Sequence, residues 1–68
     1  MRLSARNQLG GTVVSVTRGP VNSLVKIDVC GQYISATLTT EAADDLELTQ
    51  GSPVTAIFKA SAVMLGVE

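Results

Sequence analysis

The stretch Val21-Asn22-Ser23-Leu24-Val25-Lys26-Ile27-Asp28-Val29 decides the fold, because polar and apolar residues alternate along it with a period of two. Val21, Val25, Ile27 and Val29 share one parity, while Asn22, Lys26 and Asp28 share the other. Successive side chains of a strand point to opposite faces, so the pattern describes a strand with one face on a core and one in water. Upstream, Thr12-Val13-Val14-Ser15-Val16-Thr17 is a β-branched run that predicts another strand. Arg18-Gly19-Pro20 separates the two with turn chemistry, since Gly admits positive φ and Pro fixes its own φ while lacking a donor. Downstream, Tyr33 to Thr39 predicts a third strand with Ile34, Ala36 and Leu38 on one face. Cys30-Gly31-Gln32 joins the second and third strands, and Gly-Gln suits a tight hairpin turn.

Thr40-Glu41-Ala42-Ala43-Asp44-Asp45-Leu46 reads as a short helix. Thr39 or Thr40 can cap it, and acids near its start complement the helix dipole. It is expected to stop by Gln50-Gly51, where Gly suits a left-handed residue after the helix. Pro53 to Lys59 predicts a fourth strand, and Ala62-Val63-Met64-Leu65 is either a fifth strand or a helical turn. Gly10-Gly11 reads as a strand start or a bulge. This order predicts an all-β protein, a small OB-like five-stranded β-barrel with one short helix. Residues 1–68 show no linker, internal repeat or low-complexity tract, so they are expected to be a single domain.

A domain of 68 residues buries a small share of its unfolded surface and usually needs a staple. Cys30 is the only cysteine and histidine is absent, which argues against an internal disulfide and against a structural zinc site. Self-association is the remaining remedy. Net charge is −1, so no bulk field draws nucleic acid. No apolar run approaches the ~20 residues that cross a bilayer. The opening Met1-Arg2-Leu3-Ser4-Ala5-Arg6 has no signal-peptide h-region. A cytoplasmic protein is expected, and the single thiol agrees with a reducing compartment.

Catalysis has little to work with. No histidine is available to shuttle protons near neutral pH. Cys30 has no base beside it in the sequence and reads as a small strand-end residue. Glu41, Asp44, Asp45 and Glu47 read as a solvated helix face rather than a carboxylate pair. Two other segments carry donors without carboxylates. Ser4-Ala5-Arg6-Asn7-Gln8 places a hydroxyl, a guanidinium and two amides in a row, and Lys59-Ala60-Ser61-Ala62-Val63 places a cation and a hydroxyl among small residues. A tetrahedral oxyanion offers only acceptors, so donor-only surroundings suit it. Hydrogen bonds from Arg or Lys are roughly twice as strong as neutral ones, and backbone amides at a concave turn add to them.

Those blocks, with Gly11 before a Val-rich strand, Gly19-Pro20-Val21-Asn22 and the closing Lys59-Ala60-Ser61-Ala62-Val63-Met64-Leu65, resemble a molbindin, the stand-alone Mop domain. The likeness runs from about Leu3 to Leu65. It implies an OB-like barrel that binds molybdate, and also tungstate, with no enzymatic activity, no organic cofactor and no bare metal cation. It implies a role in storage, buffering or homeostasis of the anion. It implies hexamers, built as trimers of dimers, with sites between subunits. For the main site the resemblance implies Ser4, Arg6, Thr39, Lys59, Ala60 and Ser61, with Ala5 and Asn7 assisting. For a second oxyanion site it points to the turn containing Gly19, Val21 and Asn22. Two alternatives stand beside it. One is an OB-fold interaction or regulatory module acting with a molybdate transporter or regulator. The other is a single-strand nucleic-acid binder, which would use stacked aromatics in a basic groove; the chain has one Tyr and one Phe.

Overall fold

The structure is a computed structural model and describes residues 4–68. Leu3, where the family likeness begins, lies outside the described residues. Four strands form one antiparallel sheet in the order β3-β2-β1-β4: β1 (Asn7–Arg18), β2 (Asn22–Val29), β3 (Gln32–Thr39) and β4 (Pro53–Phe58). A helix α1 (Thr40–Asp45) follows β3, and a 3-10 turn (Ala60–Ala62) follows β4. The all-β, OB-like architecture with one short helix is therefore present, but with four strands among the described residues instead of five. After the 3-10 turn, residues 63–68 form no strand.

β1 is the organising strand. Its residues Asn7 to Thr12 pair with β4, from Asn7↔Phe58 to Thr12↔Pro53. Residues Thr12 to Arg18 pair with β2, from Thr12↔Asp28 to Arg18↔Ser23. The register shifts between Val13 and Ser15, so Val14 is an extra residue that bends the strand. At the bend the Val13 carbonyl accepts from the Gly51 N–H at 2.8 Å, and the Val13 N–H donates to the Ser52 carbonyl at 2.9 Å. The bulge thus falls at Val14, not at Gly10-Gly11, which lie inside the ladder with β4. Gly11 is there for close approach: a Cβ on it would meet the Asp28 carbonyl oxygen at 2.5 Å.

The β2–β3 hairpin follows the alternation, with one correction at its start. β2 begins at Asn22, and Val21 is 68% exposed, so the inward parity is taken up by Ser23, Val25 and Ile27. The hairpin turn is Cys30-Gly31, flanked by the pair Val29↔Gln32. Both turn residues have positive φ, 51° and 87°, as a type I′ turn requires. The Gly31 N–H donates to Asp28 Oδ1 at 2.8 Å.

Thr39 is the N-cap of α1, its Oγ1 accepting from the Ala42 N–H at 3.1 Å. The helix ends at Asp45, earlier than Gln50-Gly51. The Leu48 N–H donates to the Ala43 carbonyl and the Glu47 N–H to the Asp44 carbonyl, which is the Schellman pattern. Glu47, at φ 53°, takes the left-handed position usually given to Gly.

The core is small. Val13, Val25 and Ile27 form its buried cluster, ringed by half-buried Val16, Ile34, Leu38, Leu48 and Val54. Ala43 seats α1, and Ser23 is the buried polar residue.

Candidate functional site

The register Asn7↔Phe58 closes the β1–β4 ladder. Arg6 immediately precedes its β1 end and Lys59 immediately follows its β4 end, so the two cations flank one end of the sheet although 53 positions separate them in the sequence. The donor-rich opening block and the donor-rich closing block are therefore neighbours. Ser4, Arg6, Lys59, Ala60 and Ser61 are exposed, and Ala5 and Asn7 half-buried.

Local structure shapes both blocks. Gln8 Nε2 donates to the Ala5 carbonyl at 3.3 Å, which folds the opening block back on itself. Lys59 is extended, at φ −73° and ψ 146°, and its carbonyl accepts from the Ala62 N–H at 2.9 Å. Ala60 and Ser61 open the 3-10 turn, where the first N–H groups of a helical turn have no partner within it. The end of the sheet thus offers a guanidinium, an ammonium, two serine hydroxyls and backbone amides, with no carboxylate in residues 4–8 or 59–63.

Thr39 lies elsewhere. It pairs with Asn22 at the start of β2, beside the pair Arg18↔Ser23. That is the opposite end of β1, and a straight strand of this length spans roughly 35 Å. The structure therefore sorts the residues singled out in the sequence into two groups. Ser4, Ala5, Arg6, Asn7, Lys59, Ala60 and Ser61 gather at one end of β1. Gly19, Val21, Asn22 and Thr39 gather at the other.

The second group is held by hydroxyls that the alternation pattern does not flag as special. Thr40 Oγ1 donates to the Gly19 carbonyl at 2.7 Å and lies 2.7 Å from Ser23 Oγ. The Thr40 N–H donates to the Val21 carbonyl at 2.8 Å. The turn is thereby pinned to the start of α1. The one available signal was Ser23, a hydroxyl on the inward parity of its strand. Arg18 makes an ion pair with Asp44, which places a carboxylate near this group and makes it a poorer host for a dianion than the first.

Among the described residues, no group of three or more His, Cys, Asp or Glu is placed to hold a metal ion, and no helix is long and apolar enough to cross a membrane.

With this geometry in place, comparisons with known proteins define the class. The fold is similar to that of a molybdate-binding protein from Sporomusa ovata, with a TM-score of 0.94 and 33% identity, covering 98% of this chain and 100% of that one. It is also similar to ModG, described as a cytoplasmic molybdate-binding protein and solved with molybdate bound, with a TM-score of 0.86 and 36% identity, covering 96% of this chain and 53% of that one. This is an OB-like β-domain of the kind found in binding proteins. Residues 3–65 match the TOBE domain, and the chain belongs to that family as a molbindin-type member. A relative from Haemophilus influenzae, named "Probable molybdenum-pterin-binding protein", is 48% identical over the full length of both chains. The molybdenum transport protein ModE of Herbaspirillum seropedicae is 51% identical over 97% of this chain, which spans 25% of that protein.

Proposed function

We propose that this chain binds molybdate, and tungstate with it, for intracellular storage, buffering or homeostasis of the anion. The observation that carries the proposal is the meeting of Arg6 and Lys59 at the end of the β1–β4 ladder, each within a segment free of carboxylates. Arg6 and Lys59 supply charge, Ser4 and Ser61 supply hydroxyl donors, and the amides of Ala5, Ala60 and Ser61 fill the remaining directions, with Asn7 orienting the opening block. Donors and charge gathered without a carboxylate suit reversible binding of an oxyanion, and the chain is read here as a binder and not as an enzyme. Residues 1–68 work as one binding domain, in the cytoplasm and without a nucleic-acid partner.

Thr39 joins the same site from another copy of the chain. Its Oγ1 uses an acceptor lone pair in capping α1, which leaves its O–H free to donate. Because β1 separates it from Lys59 within one copy, a site containing both is built between subunits, and a hexamer of paired copies supplies several such sites. The turn of Gly19, Val21 and Asn22, close to Thr39, forms a secondary, weaker oxyanion site.

Titration calorimetry with molybdate, tungstate and sulfate tests the proposal, with heat and saturation expected for the first two. No heat with molybdate at neutral pH overturns it. The ModE relative supports a second reading, in which a domain like this one is the ligand-sensing part of a regulator or transporter and acts with other domains. Single-strand nucleic-acid binding has less support, since Tyr33, the exposed aromatic, already carries Lys26 Nζ 5.5 Å from its ring centre.

A further inference from the structure

A helix of six residues such as α1 does not hold itself together, because isolated helices below about 12–15 residues are marginal in water. Two residues anchor it to the sheet. Ala43, at 0% exposure, seats its middle. Thr40, its first residue, ties its start to the turn between β1 and β2. That start carries Thr39, the exposed N-cap whose hydroxyl was assigned above to the shared anion site.

The direction of the hydrogen bonds in the Thr40 anchor follows from their number. Thr40 Oγ1 donates to the Gly19 carbonyl at 2.7 Å. A hydroxyl carries a single hydrogen, so in the 2.7 Å contact between Thr40 Oγ1 and Ser23 Oγ the serine is the donor. The chain of bonds therefore runs one way, from Ser23 to Thr40 to the Gly19 carbonyl, and each bond polarises the next. Ser23 is 2% exposed, so water does not readily take its place. The Thr40 N–H donates to the Val21 carbonyl at 2.8 Å. Side chain and backbone of this one residue thus hold two carbonyls of the same turn.

The two adjacent threonines consequently differ in what they have left to offer. Thr40 has committed its hydrogen to Gly19 and has none to give an anion. Thr39 Oγ1 accepts from the Ala42 N–H at 3.1 Å, which fixes its side chain and leaves its hydrogen free to donate. We infer that Thr40, backed by Ser23, is the positioning residue for Thr39: it holds the first turn of α1 in place, and with it the one orientation in which the Thr39 hydroxyl caps the helix and faces a ligand together. Without the Thr40 hydroxyl the first turn frays, the Ala42 N–H loses its acceptor, and the Thr39 hydroxyl becomes one rotamer among several. The inference rests on the reading of Thr39 as an anion donor.

The test uses the full chain. Thr40→Val keeps the branched shape and removes the hydroxyl. Its molybdate affinity, read by calorimetry, is expected to fall about 10-fold, the order of a lost hydrogen bond to a charged group, and that of Thr40→Ser to stay within about 2-fold of wild type. Amide exchange in Thr40→Val is expected to quicken at Ala42. Ile27→Val, a core change that touches no hydroxyl, is expected to lower stability and leave both readings as they are, which separates positioning from general loosening. In a Thr39→Val background, Thr40→Val is expected to cost little further affinity. Should Thr40→Val not fold, Ser23→Ala keeps the bond from Thr40 to Gly19, removes the donor behind it, and is expected to show the same changes in smaller measure. Wild-type affinity in Thr40→Val, or in Ser23→Ala where that variant stands in, overturns the inference. So does an equal loss with and without the Thr39 hydroxyl, since Thr40 would then act by another route. Full affinity in Thr39→Val beside a loss in Arg6→Ala removes Thr39 from the site, and this inference with it, while the oxyanion reading stands. No heat from the wild-type chain overturns the oxyanion reading instead, and exchange at Ala42 then decides by itself whether Thr40 holds Thr39 in place.

Discussion

Arg6 and Lys59 are cations set among small polar residues, and what each does depends on the other's being near. A dianion taken from water into such a site loses its hydration, which only charged or well-aimed donors replace. Removing one charged hydrogen bond costs about 1.5–3 kcal/mol, or ~10–150-fold in affinity. Arg6→Ala and Lys59→Ala are each expected to weaken molybdate binding by that order in calorimetry; wild-type affinity in both would exclude this end of the sheet as the site. The donor-only character of the two blocks was legible residue by residue. Their meeting was not, because it depends on the register between strands far apart in sequence. Cys30 offers a separate test. It sits at positive φ in a two-residue turn, a conformation that Asn tolerates well. Cys30→Asn is expected to raise unfolding stability by about 0.5–1 kcal/mol, read as a shift in the urea midpoint.

At the scale of elements, alternation was the dependable signal. β2 and β3 follow it because β2 turns Val25 and Ile27 into the core and β3 packs half-buried Ile34 and Leu38 against them. β1 begins five residues before the β-branched run, at Asn7, since Asn7-Gln8-Leu9-Gly10-Gly11 has little strand propensity and is held extended by its ladder with β4. The helix stops at Asp45, within the bound that Gln50-Gly51 sets, and Glu47 takes the left-handed position expected of Gly. The apolar run at residues 62–65 reads as either a fifth strand or a helical turn, because four residues are too short for periodicity to decide, and the 3-10 turn takes only its first residue. Thr39 ties its element to the proposed site. Thr39→Ala removes the N-cap of α1 and is expected to cost about 1 kcal/mol of stability, whereas Thr39→Ser keeps the hydroxyl and most of that stability. Chemical denaturation of the pair separates the cap from any effect on the anion.

For the molecule as a whole, the small core of Val13, Val25 and Ile27 makes stability sensitive to anything that binds the folded form. Anything that binds only the folded form stabilises it, by about 2.7 kcal/mol at a hundred times its Kd. In a domain of this size that is roughly 10–20 °C in Tm. A melting curve recorded with saturating molybdate is expected to move upward by that order, and the Arg6→Ala protein by much less.

The division of β1 between two partners also sets an order of events. The β2–β3 hairpin closes over two residues and can form early. The ladder of β1 with β4 pairs segments far apart in the chain, from Asn7↔Phe58 to Thr12↔Pro53, so it is expected to zip last and open first. The proposed anion cradle stands at the free end of that late ladder. Amide exchange is therefore expected to be slowest in Val25 and Ile27 and fast around Asn7 and Phe58, and molybdate to slow it chiefly at the latter. The anion would act as a clasp on the part of the chain that frays.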